Sequence, residues 1–589
     1  MSPFFKSLSL HAAIIAATVA HYPLEAKTLQ FPPANTPAKI QRTPDLLQTK
    51  KAKAHNSPKA LKNATNCTAC KEPIAICELP VTISKSGFYC LAKNVRLECN
   101  TTDAAITVEA DNVDIDLSNH VITLSASTSG IFASDVNNLR VHGGTIQSAH
   151  TSANENSNAI LLSGVTDATF QDLILKNTFT GVDMSNCIDV LFSNCAFAGQ
   201  GYEAMRVDTG TNFQGLTIER CDFGPTLFHI GINSNGQDVT LRSCSFTGAA
   251  ISFGVFEGEL TNLEISNCNF FNTVYGIGLG GTTLNTQIRN CQFAQSSDAA
   301  VSLFNGQGLI IEDCTFQAAS NNADALLLVA AGDPTVTVAD VVVRNSTFSS
   351  PQAAPGFDTI LIASAQGILI DSCIIDANPA PFIDFFPANV HIINANNATA
   401  SSDIKVRSCI IRNSASYGIY CDGIQVDPTS PFAIEIDSCL IDGHTFAGVF
   451  FDSAQSCTIK NSIITGTTSG PGISVSDGSQ SITILNNTIV NNAAQGIAID
   501  AISPSNNVID NTVTDNGGDG IFIASSGVTV KNNAVSRNGG NGINNSGALV
   551  EFYDNSACNN GIQSCVGIPA GLVVAPGGTP VAGGNLCCP

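Results

Sequence analysis

The sequence contains no tryptophan, and aromatic and charged residues are scarce in it. Of its 589 residues, 6% are aromatic and 13% are charged, whereas 44% are hydrophobic. Charged residues make up about 25% of ordinary globular proteins, and disordered chains are poor in hydrophobic residues, so disorder throughout the chain is excluded. Basic residues are the scarcer charged group, with 26 Lys and Arg against 48 Asp and Glu. The resulting net charge of -22 argues against a nucleic-acid partner.

The first 66 residues differ in composition from the rest. Residues 1–26 combine Lys6, an apolar stretch and small residues at possible cleavage sites, which predicts a signal peptide and an exported protein. Residues 27–66 are rich in Pro and Lys, carry a net charge of +7 and lack apolar periodicity, which predicts a linker. The remaining chain then carries -29. It has no stretch near the 18 or so apolar residues that span a bilayer, so no transmembrane segment is expected.

A short phrase recurs along the body of the chain: an apolar strand, a polar residue, a Cys, Ser or Asn, and a second short strand. We call the Cys, Ser or Asn position the slot. A period in the twenties without a helical pattern predicts a β-solenoid, in which each period is one coil and parallel coils stack about 4.8 Å apart. The slots have a mean spacing of about 26 residues and lie at Cys195, Cys221, Cys244, Cys268, Cys291, Cys314, Ser346, Cys373, Cys409, Cys439, Ser462, Asn487, Asn511 and Asn533.

The phrase, together with the segments VTISKSGFYCL at 81–91 and ITVEADNVDIDLSNHVI at 106–122, resembles right-handed parallel β-helix proteins. This group includes pectate lyases, polygalacturonases, uronan epimerases and phage tailspikes. The resemblance implies an all-β fold, a single right-handed parallel β-helix (solenoid), over residues 106–550. Cysteine-containing segments at 67–105 and 551–589 are predicted to be N- and C-terminal caps, with disulfides as the expected use of their cysteines.

Nine of the 21 cysteines occupy slots. Because the same position elsewhere holds Ser or Asn, the slot requires a small residue. These cysteines are therefore expected to be half-buried small hydrophobic groups rather than a column of thiolate metal ligands. Cys67 and Cys70 could begin a zinc site, but no second CxxC or suitably spaced His pair completes it.

Counting from the slot places two aspartates on one exposed face. Slot plus 10 and plus 12 are expected to point inward, and plus 11 and plus 13 outward. The plus-13 position holds Asp422 and Asp452 on successive coils, about 4.8 Å apart. Tyr420 and Phe450 occupy plus 11 beside them. Like charges stacked in this way are unfavourable unless they are compensated.

Neighbouring insertions add further candidates around this pair. Two carboxylates about 5 Å apart beside aromatic rings suit glycoside cleavage. A Ca²⁺ site at Asp422, Asp427 and Asp452 is an alternative, and capping of strand ends by Asp is a third interpretation. The histidines are expected in adjoining loops. The candidates are, for catalysis, Asp422, Asp452 and Asp427 and, for substrate binding, Tyr420, Phe450, Asp384, His391 and His444.

A second polar group comprises Tyr202, Glu203, Arg206 and Asp208. Arg206 falls on an outward plus-11 position. We interpret the group as a surface ion pair, which contributes little to stability or function.

Motifs of the resembling enzymes do not decide the function. The Gly-His-Gly and Arg-Ile-Lys motifs of polygalacturonases are not found, and the segment 427–430 lacks the histidine of the epimerases' Asp-Pro-His-Asp signature. The acidic body favours a neutral glycan over a polyuronate. Two hypotheses stand: an exported carbohydrate-active enzyme, a hydrolase before a lyase or epimerase, or a non-catalytic surface protein or adhesin. Either would be a monomer whose partner is carbohydrate or the cell envelope.

Overall fold

The computed structural model describes residues 74–97, 104–125, 128–149, 157–208, 212–318, 325–330, 338–349, 358–376, 388–393, 401–423, 433–568, 573–574 and 584–588. Every regular element in these residues is a β-strand, as the all-β prediction requires. Among them there is no helix long and apolar enough to cross a membrane. The predicted signal peptide and linker lie outside the described residues.

Each coil contributes a strand to each of three faces, which we number face 1, face 2 and face 3 in chain order. Every strand pairs in parallel with its counterpart on the next coil. Faces 2 and 3 form one 39-stranded sheet, because two long strands, Asn137–Ser148 and Thr166–Lys176, run through both.

The strands of face 1 are Val81–Ile83, Ile106–Val108, Ile131–Ser134, Asn158–Ser163, Thr180–Ser185, Glu203–Val207, Phe228–Ile232, Ile251–Val255, Tyr275–Leu279, Ala299–Leu303, Ala325–Ala330, Asp358–Ala363, Ala388–Ile393, Tyr417–Asp422, Ala447–Asp452, Ile473–Ser476, Ile497–Ile499, Ile521–Ile523, Ile543–Asn545 and Cys565–Val566. In addition to the two long strands, those of face 2 are Ile74–Ile76, Gly87–Leu91, Val113–Asp116, Ile188–Ser193, Asn212–Glu219, Asn235–Arg242, Glu259–Ser266, Thr282–Arg289, Gly306–Glu312, Val338–Arg344, Ala365–Asp371, Ser402–Arg407, Ile434–Asp437, Thr458–Lys460, Thr483–Leu485, Asn507–Ile509, Thr529–Lys531 and Glu551–Tyr553. Those of face 3 are Val95–Arg96, Val121–Leu124, Ala196–Ala198, Asp222–Phe223, Ser245–Thr247, Asn269–Phe271, Gln292–Ser296, Thr315–Ala318, Thr347–Ser349, Ile374–Asp376, Ile410–Arg412, Leu440–Asp442, Ile463–Thr465, Thr488–Val490, Thr512–Thr514, Ala534–Ser536, Ser556–Cys558, Val573–Val574 and Asn585–Cys587.

Parallel register stacks like residues on one another in the core. Two residues after the slot, seven phenylalanines form a continuous pile with ring centroids 4.5–4.9 Å apart and nearly parallel planes. Each buried aromatic ring contributes roughly 1.5–3 kcal/mol to the hydrophobic core. The pile holds the middle coils in one register, and consists of Phe197, Phe223, Phe246, Phe270, Phe293, Phe316 and Phe348.

The slot side chain is buried and donates a hydrogen bond. The Cys244 thiol, the Ser346 hydroxyl and the Asn511 amide each contact the backbone carbonyl two residues earlier, at 3.4, 2.9 and 2.9 Å. The expectation of half-buried hydrophobic cysteines is therefore corrected: the slot cysteines are at most 2% exposed and act as weak donors. Cys, Ser and Asn share the slot because all three are small and can donate.

The polar residue before each slot has a left-handed backbone. Its φ is 54° at Asn194, 57° at Ser243 and 55° at Asp313. Asn, Asp and Ser tolerate this region better than bulky residues, because their short side chains hydrogen-bond locally. The recurring polar residue of the phrase is therefore a requirement of the turn into face 3.

Stacked strands extend into both segments that were predicted to be caps. The first described strand, Ile74–Ile76, already pairs with Gly87–Leu91. At the other end, disulfides join Cys558 to Cys588 and Cys565 to Cys587, as expected for the tail cysteines. These bonds tie the last coils to the final strand.

Face 2 carries a row of charges of alternating sign. Pairing of successive strands places each charge beside charges of opposite sign only. Glu312 lies 3.4 Å from Arg289 and 2.9 Å from Arg344, and Arg407 Nε donates to Asp371 at 3.0 Å. We call this the alternating row; it comprises Arg289, Glu312, Arg344, Asp371, Arg407, Asp437 and Lys460.

Candidate functional site

Asp422 and Asp452 lie side by side on face 1. They are direct partners in the parallel pairing of Tyr417–Asp422 with Ala447–Asp452, and both are half-buried. Cys421, between Tyr420 and Asp422, points inward and is fully buried. The register predicted from the slot is thus observed on these two coils.

An aromatic stack adjoins the two aspartates. The His391 ring lies parallel to Tyr420 at 4.7 Å, and Tyr420 lies over Phe450 at 5.2 Å. Tyr417 also stacks on Phe450, at 5.0 Å. Tyr417, Tyr420 and Phe450 remain partly exposed, so the outer surface of face 1 offers flat apolar rings next to carboxylates.

Asp452 is placed to hold a proton. Burial raises its pKa, and Asp477 and Asp500 add to the rise, although hydrogen bonds from Tyr420 and Ser453 oppose it. Tyr420 Oη donates to Oδ2 at 3.0 Å and Ser453 Oγ donates to Oδ1 at 3.1 Å. The carboxyl is therefore fixed in position while its charged form is disfavoured, as suits a proton donor.

The tyrosines of the stack are neutral at physiological pH. Burial raises the pKa of Tyr417 to about 12, with a contribution from Asp452. Burial together with Asp422 and Asp452 raises the pKa of Tyr420 as well. Both phenols therefore remain hydrogen-bond donors.

His391 lies on a strand rather than in a loop, which corrects the prediction. It is the fourth residue of Ala388–Ile393 and is 4% exposed. Its Nδ1 lies 2.9 Å from Asp358 Oδ2, while Asp358 Oδ1 accepts a hydrogen bond from the Ala388 backbone at 2.8 Å. Within the described residues Nε2 has no hydrogen-bond partner. Burial lowers the pKa of His391, but Asp358 and Asp422 outweigh it and the net shift is upward.

His444 is not part of the site, contrary to the prediction. It is fully buried in the turn after Leu440–Asp442, where Nδ1 accepts from the Ser414 backbone at 3.2 Å and Nε2 lies 3.1 Å from the Ile411 carbonyl. Burial lowers its pKa to about 4. This neutral histidine secures the turn between faces 3 and 1.

The other predicted residues cannot be placed at the site. Asp384 and Asp427 lie outside the described residues. In the described part of the chain, no group of three or more His, Cys, Asp or Glu side chains could hold a metal ion. Both oxygens of Asp452 already accept hydrogen bonds from hydroxyl groups. Asp422 and Asp452 alone therefore do not supply the about six to eight oxygen ligands that Ca²⁺ takes.

Sequence reasoning missed Asp358 and Tyr417. Both occupy the first position of a face 1 strand, where the neighbouring strands begin with Ala388 and Ala447. The signal in the sequence was a polar or aromatic residue at a strand position where neighbouring coils have alanine. The structure shows that this row faces outward with the row of His391 and Tyr420.

The sequence profile of the family described as right handed beta helix region matches residues 129–293, 275–423 and 422–579, well over half of the chain. The chain belongs to the right-handed β-helix family. The predicted fold is thereby confirmed. No curated protein matches this β-helix.

Solved structures similar to this β-helix include the catalytic domain of a GH87 alpha-1,3-glucanase in complex with nigerose, at 12% identity and a TM-score of 0.27. That match covers 65% of this chain and 60% of the glucanase chain, so the β-helix spans less than two thirds of its length. The A-module of the Azotobacter vinelandii mannuronan C-5 epimerase AlgE6 is 13% identical, with 78% and 91% of the two chains covered and a TM-score of 0.17. A mutant of the periplasmic alginate epimerase AlgG is 10% identical, with 79% of each chain covered and a TM-score of 0.23.

Proposed function

We propose that this β-helix is an exported protein that hydrolyses a neutral glycan on the outer surface of face 1. The observation that carries the proposal is the direct stacking of Asp422 on Asp452 beside partly exposed aromatic rings. Such a pair opposes folding, and it brings together the two carboxyl groups that glycoside cleavage uses.

In the proposed reaction the two carboxyls take different roles. Asp452, whose pKa is raised by burial, donates its proton to the glycosidic oxygen as the C–O bond breaks. Asp422 attacks the anomeric carbon to form an ester. Water then cleaves that ester, and its proton returns to Asp452. Adjacent strands are about 4.8 Å apart, which is close to the separation of about 5–5.5 Å in enzymes that retain configuration.

The aromatic stack supplies the substrate surface. The apolar side of a sugar ring can pack on Tyr417 and Phe450, and the neutral hydroxyl groups of Tyr417 and Tyr420 can hydrogen-bond to its rim. His391, held by Asp358, closes one end of the stack. With few cations on an acidic body, a neutral glycan fits better than a polyuronate.

Export is supported by two features. The N-terminal segment has the composition of a signal peptide, and the tail carries two disulfides of the kind that persist in oxidising compartments.

The test is turnover by the mature protein of a panel of neutral and acidic polysaccharides. Hydrolysis of a neutral glycan that disappears in both Asp422→Asn and Asp452→Asn is the expected result. Asp515→Asn, which removes an exposed carboxylate paired with Arg537, is the control and should leave turnover unchanged. Binding without turnover would instead favour a non-catalytic surface protein or adhesin.

A further inference from the structure

Face 3 carries aliphatic side chains on the outer surface of four successive coils. In-register pairing stacks the residues that directly follow four slots, and all four point outward. We call them the aliphatic stripe; they are Ile374, Ile410, Leu440 and Ile463. Three of them are 36–46% exposed, and Ile410 is partly exposed between its two neighbours. Single exposed aliphatic residues are ordinary, but a contiguous apolar patch marks an interaction surface.

The same position is small or polar on the coils to either side of the stripe. Strand pairing continues without a break from Ala196 to Thr347 before the stripe and from Thr488 to Ser556 after it. The row there consists of Ala196, Asp222, Ser245, Asn269, Gln292, Thr315, Thr347, Thr488, Thr512, Ala534 and Ser556. The coil therefore does not require an aliphatic residue at this position, and the stripe needs another explanation.

The row beside the stripe carries charges. Two residues further along each strand, and so on the same outer surface, lie Asp376, Arg412, Asp442 and Thr465. Arg412 Nε donates to Asp376 at 2.8 Å. Among the described residues no ion pair is found for Asp442. A cation from outside the chain would complete the row.

A second copy of the chain supplies that cation by symmetry. A two-fold axis that superposes the aliphatic stripe on itself must pass between the strands of Ile410 and Leu440. If the axis runs along the strands, the two solenoids are antiparallel and each row faces its own counterpart. Ile410 then contacts the partner's Leu440, and Arg412 contacts the partner's Asp442. Each of these contacts occurs twice.

The alternating row on the adjoining face 2 has the same symmetry. The axis brings Arg407 level with the partner's Asp437, and Asp371 level with the partner's Lys460. Opposite charges are therefore at the same height on both copies. An anionic membrane surface would instead be repelled by the acidic body, and an aliphatic stripe offers no hydrogen bonds to a glycan. A second copy is the occupant that fits.

We propose that the aliphatic stripe, with Arg412 and Asp442, is the interface of an antiparallel homodimer, in place of the monomer expected from the sequence. At about 4.8 Å per coil the stripe is about 14 Å long. Stable interfaces bury about 800 Å² on each partner, which is more than this stripe alone supplies, so the dimer should be weak and should dissociate on dilution. The proposal does not depend on hydrolysis at Asp422 and Asp452.

Sedimentation velocity of the mature protein over about 1–200 µM tests the proposal. The native protein should change from monomer to dimer as its concentration rises. Ile410→Thr/Leu440→Thr gives the centre of the stripe the residue that the next coils carry, and should weaken dimerisation by about tenfold or more. Ile174→Thr is the matched control and should leave dimerisation unchanged. Ile174 is 45% exposed in the same row, where its neighbours are Thr145 and Ala196.

Charge reversal tests the antiparallel geometry. Arg412→Asp and Asp442→Arg should each weaken dimerisation, because like charges then meet across the axis. An equimolar mixture of the two variants should dimerise again, since each reversed charge faces an opposite one in the mixed dimer. A variant that had merely lost its fold could not recover in this way.

Three results would overturn the proposal: a native protein that stays monomeric at about 200 µM, dimerisation unchanged in the double threonine variant, or no recovery in the mixture. The thermal unfolding midpoint of each variant shows whether loss of the dimer reflects loss of folding.

Discussion

Charges stack differently in the alternating row of face 2 and in the aspartate pair of face 1. On face 2, the alternating row changes sign at every coil from Arg289 to Lys460. On face 1, Asp422 lies directly beside Asp452. In-register stacking makes every side chain the neighbour of its counterpart, so like charges repel unless the sequence alternates them. Face 2 avoids the repulsion over seven coils, whereas the two aspartates on face 1 are direct neighbours and Asp452 accepts hydrogen bonds from Tyr420 and Ser453.

The surroundings of the carboxylates sharpen the contrast. A hydrogen bond and ion pair with Arg407 lower the pKa of Asp371 on face 2. Burial raises the pKa of Asp452 on face 1. At neutral pH, ionisation of Asp371 is therefore favoured by folding, whereas ionisation of Asp452 is opposed by it.

The largest expected effect is on catalysis. Asp452→Asn should lower turnover of the neutral glycan by about 10²–10⁴-fold, the contribution of a positioned proton donor. Asp371→Asn, the corresponding change on face 2, should not affect turnover. Steady-state rates of both variants measure this difference. Equal rates for the native protein and Asp452→Asn would remove Asp452 from the mechanism.

The second prediction compares how much the buried ion pair of face 1 and the exposed ion pairs of face 2 contribute to the free energy of unfolding. Asp358→Ala leaves His391 buried without its partner and should lower the free energy of unfolding by about 3–5 kcal/mol. Asp371→Ala, on the exposed row, should cost no more than about 1 kcal/mol. Urea unfolding measures both. The double variant Asp358→Ala/His391→Leu should recover part of the loss, and a similar cost at the two positions would contradict the comparison.

A third change introduces stacked like charges into the alternating row of face 2. Asp371→Lys places three positive charges in succession with Arg344 and Arg407. It should lower the free energy of unfolding by about 1–2 kcal/mol, and by less at high salt. Urea unfolding at low and high salt measures the effect, with Asp371→Asn as the uncharged control. No dependence on salt would show that the alternating signs do not matter.

The smallest effect is an opposite response to pH on the two faces. Because its folded pKa is raised, Asp452 contributes most below its unfolded pKa of about 3.9 and loses that contribution as pH rises. Asp371, with a lowered pKa, contributes above about pH 3.9 and loses that contribution as pH falls. Asp452→Asn should therefore be relatively more stable than the native protein at pH 7 than at pH 3, and Asp371→Asn relatively less. Shifts of the same sign in urea unfolding would refute the assignment.

The sequence predicted the solenoid and part of the site because slot spacing carries the register. From Cys409 to Tyr417 and from Cys439 to Ala447 the count is the same, so Asp422 and Asp452 were placed correctly. More residues separate Cys373 from Ala388, where the strand of His391 begins.

Because insertions lengthen these coils, the slot count did not give the strand positions of Asp358 and His391. Slot spacing also does not tell whether a turn residue such as His444 points inward. The burial of Glu203, which is 3% exposed, was equally hidden, and its interpretation as part of a surface ion pair is wrong. Burial of an outward-pointing side chain depends on which residues pack over it. The inward and outward alternation along a strand does not contain that information.

The slot hydrogen bonds give the solenoid a direction. The backbone N–H of one slot donates to the slot side chain of the next coil, as from Cys439 to Ser462, from Ser462 to Asn487 and from Asn487 to Asn511. The chain of bonds runs only toward the C-terminus, reaching Asn585 from Asn555. Each coil therefore meets its two neighbours through different atoms: Ser462, for example, accepts from the preceding coil with its side chain and donates to the following coil with its backbone N–H.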